Sequence, residues 1–259
     1  MTLRLSEKLA REGVCVARGA AGPELCARAQ AEALVACEAF AALPMSMAER
    51  RRGNTHRVFL PFSVKRGGEQ RERSPTSRYE FRLPMSRTTR SMLEAVLSGD
   101  VGGAIAENIS EDCELSGLVY IVSEKGAVAQ AVHSDGNWGE NAPKVITLFL
   151  ATSDIQDEDM GPTRFMPATH APECFDGGEW LPPTPANGVR EREDVWFPLN
   201  AGDAVMMQST LWHCGGANTS EKKRVLLSFS FTQRNNTSSS SAADADSWTL
   251  RDFRQAARK

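Results

Sequence analysis

His133 and Asp135 stand two residues apart in the run Gln130-Ala131-Val132-His133-Ser134-Asp135-Gly136-Asn137-Trp138. Side chains alternate between the faces of a strand, so residues at that spacing project to the same side. A second strand-like run ends in Leu211-Trp212-His213-Cys214-Gly215-Gly216 and brings another imidazole from a distant part of the chain. Two histidines and one carboxylate form a facial triad. They cover one face of an octahedral metal, leave the opposite positions open, and suit Fe(II) used for oxygen chemistry. Arg224 follows His213 across a glycine-containing loop and opens a further apolar run. If that run pairs antiparallel with the one before it, Arg224 lies almost opposite His213, where its guanidinium fork could clamp a carboxylate. These four residues fit one chemistry. 2-Oxoglutarate chelates the iron through its keto acid end, Arg224 holds its distal carboxylate, and one position stays open for O2. A substrate C–H bond is then oxidised with release of succinate and carbon dioxide. Metal and cosubstrate carry that chemistry, and the protein supplies orientation and shielding.

Other readings of the same residues exist. A histidine beside a turn aspartate is a common surface arrangement, and His/Asp/His ligands also hold zinc in hydrolases, although a hydrolase leaves Arg224 without a task. A sensor that binds metal and 2-oxoglutarate without turnover is the alternative from another class. His170 comes shortly after Pro167 in a turn and is expected to make a structural hydrogen bond, while His56 has no assignable role. Cys214 adjoins His213 and so points to the opposite strand face.

The elements that would position these groups can be read from pattern. Leu3 to Ala10 is expected to be helical, Glu12 to Gly19 a short strand, and Pro23 to Ala42 a helix with Pro23 and Glu24 in its first turn and Pro44 ending it. Arg51 to Arg87 is polar and Arg-rich, which suggests a long loop or lid. Within it, Arg78-Tyr79-Glu80-Phe81-Arg82-Leu83 alternates charge with aromatic residues. That segment reads as an edge strand with a solvated face, or as a substrate-recognition strand in which Arg82 or Arg78 holds an acidic group. Ser91 to Leu97 and Val101 to Ile109 read as helices. Strands follow at Leu118 to Ser123, Ala127 to Asp135, Val145 to Thr152, Ala204 to His213 and Arg224 to Gln233, with Ala171 to Asp194 as a surface excursion. In the Ala204 to His213 strand, Val205, Met207, Ser209 and Leu211 share the face of His213. Helices early and Gly/Pro-punctuated strands late suggest a mainly β fold with flanking helices, a cupin-like jelly roll or double-stranded β-helix. The expected division is one oxygenase domain over 1–234, with a helical part at 1–112 and a jelly-roll core at 113–234, then a Ser-rich stretch and terminal helix over 235–259.

Composition narrows the partners. The chain of 259 residues carries a net charge of −3 and no basic stripe, which disfavours nucleic acid. No apolar run reaches the roughly twenty residues of a membrane span, and the first residues lack a signal peptide's apolar centre. A cytoplasmic protein acting on a small-molecule substrate is expected. Its 6 cysteines form no CxxC pair and read as reduced thiols.

Several of these residues occur together in an order that resembles the phytanoyl-CoA dioxygenase family of Fe(II)/2-oxoglutarate-dependent oxygenases. The landmarks are Gln130-x-x-His133-x-Asp135, Gly161-Pro162 through Met166-Pro167-Ala168-Thr169-His170, Ala201-Gly202-Asp203, and His213-x-Gly215 through Asn218 to Arg224. The likeness spans about Glu12 to Phe231. It implies a double-stranded β-helix, His133, Asp135 and His213 as iron ligands, Arg224 as the 2-oxoglutarate anchor, and Gln130 near the chelating end. Many related oxygenases place a hydroxyl two residues after the arginine, where this chain has Leu226. Ser228, Tyr120 and Thr147 are the candidate replacements. Asp135 fills the position that halogenating relatives keep small, which implies hydroxylation or a related C–H oxidation. Trp138, Arg82, Phe165 and Met160 are the expected substrate side, and nothing marks a CoA site.

Overall fold

A computed structural model describes residues 3–41, 56–58, 77–82, 85–136, 142–171, 175–176, 179–180, 193–234 and 248–256. Along the chain lie α1 (Leu5–Glu12), β1 (Val14–Ala17), α2 (Pro23–Ala41), β2 (His56–Val58), β3 (Arg78–Arg82), α3 (Arg87–Ser98) and α4 (Asp100–Asn108). Then come β4 (Glu114–Ser123), β5 (Val145–Ala151), a 3-10 turn (Glu158–Met160), β6 (Thr163–Phe165), β7 (Phe175–Asp176), β8 (Glu179–Trp180), β9 (Ala204–Gln208), β10 (His213–Gly215), β11 (Arg224–Thr232) and α5 (Leu250–Ala256). Pro44, Trp138, the Ser-rich stretch and most of the expected lid and excursion lie outside the described residues.

Seven strands form an antiparallel sheet in the order β1-β9-β5-β11-β4-β3-β2. A smaller layer faces it, built on the β6–β10 pair and widened by bridges from Val195 to Phe165 and from His133 to His213. This is the expected jelly roll, mainly β with helices on one side.

The period of two divides the large sheet. Along β11, Val225, Leu227, Phe229 and Phe231 point toward the helices and join Met92, Leu93, Leu97 and Phe253 in one apolar core. The alternate residues face the small sheet, where Leu226, Phe149, Val205 and Met207 meet Phe165, Leu199 and Leu211. Helix α3 presents Met92, Leu93, Val96 and Leu97 at the spacing of one helical face, and Ser86 caps its start by accepting the Thr89 N–H at 3.0 Å. Helix α5 docks through Leu250 and Phe253, as the terminal run predicts.

Four expectations about strands change. β3 is not the edge of the sheet, because β2 pairs outside it. The Ala204–His213 run is two strands: the chain turns after Gln208 and crosses from the large sheet to the small one before His213, so Ser209 and Leu211 do not continue one face. Arg224 pairs with Ser123 on β4, not with the strand of His213. The Ala127–Asp135 segment is extended but only bridged, at Ala127 and His133.

Candidate active site

His133 and His213 sit opposite each other and exchange both backbone hydrogen bonds, each 2.9 Å. That pairing puts two side chains on one face, and the ring centroids stand 4.5 Å apart. Asp135 is fixed one pleat further on, where the N–H groups of Asp135 and Gly136 both reach Ser209 O at 2.9 Å. The carboxylate therefore returns to the rings, with Oδ1 3.7 Å from His133 Nε2 and Oδ2 3.5 Å from His213 Nε2. The ligand atoms of the three residues lie within 4.8 Å of one another.

Each ring is oriented by its own chain. His133 Nδ1 lies 2.8 Å from Ala131 O, and His213 Nδ1 lies 3.0 Å from Leu211 O. A carbonyl only accepts, so Nδ1 must carry the proton and the Nε2 lone pairs are left facing the carboxylate, the tautomer that metal ligation needs. Desolvation lowers the pKa of His213, with Asp135 opposing and His133 reinforcing the shift, so this ring stays neutral. Phe165 stacks on His213 at 6.4 Å and Phe149 tilts over it at 6.3 Å. The inner wall is apolar. On the outer side the carboxylate is the accessible ligand, since the side chain of Asp135 is 44% exposed against 5% for His213.

Arg224 lies on the opposite sheet, facing the same interior. It is 2% exposed; Nη1 donates to Gly161 O and Nη2 to Ser123 Oγ at 3.2 Å, while Nε has no partner among the described residues. Gly161 ends the 3-10 turn at φ 67, and a side chain there would run into Ala217, so backbone alone can approach the guanidinium. A second arginine shares Ser123: buried Arg78 donates from Nε to the same Oγ at 2.9 Å and from Nη2 to Gly216 O at 2.5 Å. Among the described residues no carboxylate pairs with either. Desolvation, with Arg78 adding to it, pulls Arg224 down to about 9, and desolvation pulls Arg78 down to about 10. Two like charges this close repel by on the order of 3 kcal/mol at an effective dielectric of about 20.

The remaining expected residues fall into three groups. Gln130 belongs with the site: Gly215 N–H donates to its Oε1 at 2.9 Å. Phe165 and Met160 are 1% and 2% exposed, so they wall the interior and do not form its mouth. Ser228, Thr147 and Tyr120 do not stand beside Arg224. Ser228 shares its face but comes four residues later, roughly 13 Å along a strand. Thr147 pairs with Ser230, further away still, and bonds its hydroxyl at 2.9 Å. Tyr120 points the other way, into the helix-side core, where burial and then Glu32 push its phenol up. Arg82 pairs in register with Val119. His170 does make a structural contact, its Nε2 3.1 Å from Ala10 O. Sequence reading missed Ser123 and Phe149, because the strand order that brings them to the site is non-local.

Residues 9–226 match the family model of phytanoyl-CoA dioxygenase (PhyH). The chain belongs to the phytanoyl-CoA dioxygenase family. It is accordingly a non-heme iron and 2-oxoglutarate-dependent oxygenase. Solved structures share the fold at low identity. The alpha-ketoglutarate-dependent carbocyclase SnoK from nogalamycin biosynthesis is 15% identical at TM-score 0.62, over 90% of this chain and 84% of that one. The epimerase SnoN, in complex with Fe3+, alpha ketoglutarate and nogalamycin RO, is 18% identical at TM-score 0.62, over 93% and 91%. AviO1 from Streptomyces viridochromogenes Tue57 is 18% identical at TM-score 0.57, over 93% and 100%. Among the described residues, no helix is long and apolar enough to cross a membrane.

Proposed function

We propose that this oxygenase hydroxylates, or otherwise oxidises a C–H bond of, a small organic molecule, with His133, Asp135 and His213 as iron ligands and Arg224 as the anchor of 2-oxoglutarate. One observation carries the reading: two imidazoles and a carboxylate bring their ligand atoms within 4.8 Å of one another, while the facing sheet buries an arginine that no carboxylate among the described residues neutralises. The donor set suits Fe(II) and leaves coordination positions for a bidentate keto acid.

When bound, iron and 2-oxoglutarate with O2 supply oxidative decarboxylation coupled to oxidation of the substrate. The protein's own part is orientation and exclusion. The Ala131 and Leu211 carbonyls hold the imidazoles in their ligating tautomer. Phe149 and Phe165 keep water from the inner side, and the exposed edge of Asp135 leaves the outer side for substrate entry. Gln130, accepting through Oε1, keeps its amide NH2 to donate toward the chelating end. Asp135 fills the position a halide would need, which favours hydroxylation.

The test is anaerobic titration of the Fe(II)-loaded protein with 2-oxoglutarate, followed by the visible charge-transfer band of the chelate. A band that saturates in wild type and needs far more cosubstrate in Arg224→Ala supports the reading. Its absence at every concentration overturns it.

A further inference from the structure

A void remains between the two sheets, although protein interiors pack so closely that spaces as large as a water molecule are few. It measures about 10 Å³ and lies among Phe149, Phe165, Phe197, Leu199, Val205 and Leu226. That is room for one molecule of about the size of water. Water has little reason to enter. A buried water needs roughly two to four polar partners, and among the described residues Thr163 brings the only polar side chain to the wall. Leu226 decides the matter in this chain, because a hydroxyl there would give water a second partner and a buried hydrocarbon gives it none. Dioxygen has no dipole and no hydrogen bonds to lose, so the effect that drives hydrocarbon out of water drives it into such a space.

The position of the void ties it to the metal site. Phe149 and Phe165 form part of its wall and are also the two rings against His213, at 6.3 and 6.4 Å between centroids. One layer of aromatic side chains therefore separates the cavity from an iron ligand. The two rings are tilted by 45° to each other at 6.4 Å, and Phe165 is tilted by 36° to Phe197 at 5.9 Å, so they meet along seams and not as a closed stack. Neither His133, Asp135, Gln130 nor Arg224 lines the cavity, which sets it apart from the space of a chelated keto acid. The accessible edge of Asp135 lies on the outer side. One metal thus has two approaches, a polar outer one wide enough for substrate and a dry inner one that admits only a small gas.

We infer that this cavity is a holding site for dioxygen, which passes from it to the iron between Phe149 and Phe165 while substrate comes in past Asp135. The inference rests on the function proposed above.

The experiment uses two stand-ins for dioxygen: xenon, and nitric oxide, a diatomic that combines with Fe(II) without turnover. Xenon is pressed into the metal-free protein and read from the methyl resonances of Leu199 and Leu226. Val205 stands opposite Phe149 in the sheet, so its size sets the size of the void. Wild type and the wider Val205→Ala should respond to xenon, and Val205→Ile, whose extra methylene fills the space, should lose the response. Nitric oxide is then mixed anaerobically in a stopped-flow cell with protein loaded with Fe(II) and 2-oxoglutarate. Val205→Ile should slow its combination about tenfold, equal to about 1.4 kcal/mol on the barrier, and Val205→Ala should quicken it, with the 2-oxoglutarate titration unchanged in both. If Val205→Ile does not fold, the Val205→Ala rate carries the comparison. Xenon bound with equal rates in every folded protein marks a packing void and overturns the inference, as does a wild type that takes up no xenon. A slower rate joined to weaker 2-oxoglutarate binding marks a distorted site and overturns it too. A chelate band missing from wild type overturns the oxygenase reading itself, and this inference with it.

Discussion

The two faces of the large sheet come from the same strands and obey different rules. On β11 the helix-side residues Val225, Leu227, Phe229 and Phe231 are fully buried hydrocarbon among hydrocarbon. One residue out of phase, Arg224 and Ser228 are nearly as buried but polar, and across the sheet Arg78 and Ser123 share their side. Burial on the first face is the source of stability, since each large apolar side chain removed from water contributes roughly 1.5–3 kcal/mol. Burial of the two arginines on the second works against stability, because among the described residues no counter-charge pairs with them. A side chain's depth therefore says little about its purpose until its face is known.

That contrast can be broken from either side. The largest effect is expected at the metal. His213→Ala should lower iron affinity by more than the roughly 10–100-fold typical of losing an outer-shell partner, with the melting temperature of the metal-free protein nearly unchanged. Phe229→Ala is the mirror case: about 3–5 kcal/mol of unfolding free energy is lost in urea, with iron affinity of the folded fraction preserved. If both variants lost both properties, the two faces would not be separable. Arg224→Met sharpens the point. It should weaken 2-oxoglutarate strongly, yet leave unliganded stability unchanged or raised by about 1 kcal/mol or more, because a similar volume replaces an uncompensated charge. A loss of several kcal/mol in that variant would mean that the arginine holds the fold.

Smaller effects test the edges. Gly215→Ser would place its Cβ 2.6 Å from Gln130 Oε1. Displacing that amide should weaken 2-oxoglutarate about tenfold, or about 1.4 kcal/mol, measured in the same titration. At Asp203, burial alone would raise the carboxyl, but the N–H groups of Gly19 and Asn200 and the Arg18 guanidinium outweigh it and hold the pKa below its ordinary value. A depressed carboxyl stabilises above its unfolded pKa of about 3.9 and loses that stabilisation as pH falls through the folded value. Asp203→Asn should cost about 1–2 kcal/mol near neutral pH. The gap to wild type should close in acid unfolding curves below about pH 4.

How much of this was readable follows from how local each feature is. The run from Val145 reads as a strand because every residue but Thr147 is apolar and several are β-branched or aromatic, and β5 spans Val145–Ala151. The triad converges even though Ala127–Asp135 is no regular strand, since the spacing of His133 and Asp135 needs only extended backbone. The break between β9 and β10 was invisible: Ser209 and Thr210 carry no Gly or Pro to mark a change of sheet. β3 looked like an edge because nothing in His56–Val58 announces the three-residue strand outside it. The deepest gap was strand order. β11 inserts between β4 and β5, and only that insertion sets Ser123 beneath Arg224 and makes Thr147 too distant to help.

The triad and its arginine stand on different layers, His133 and His213 on the small sheet, Arg224 on the large one. A cosubstrate chelated at one end and clamped at the other is thus a cross-link between the layers. Such a staple stabilises by mass action, by about 2.7 kcal/mol at a hundredfold excess over its Kd. Its mark should be slowed amide exchange of the paired N–H groups of His133 and His213. The short β6–β10 layer, with few ladder bonds of its own, would then borrow rigidity from the molecule it binds, and departure of the spent diacid would return it.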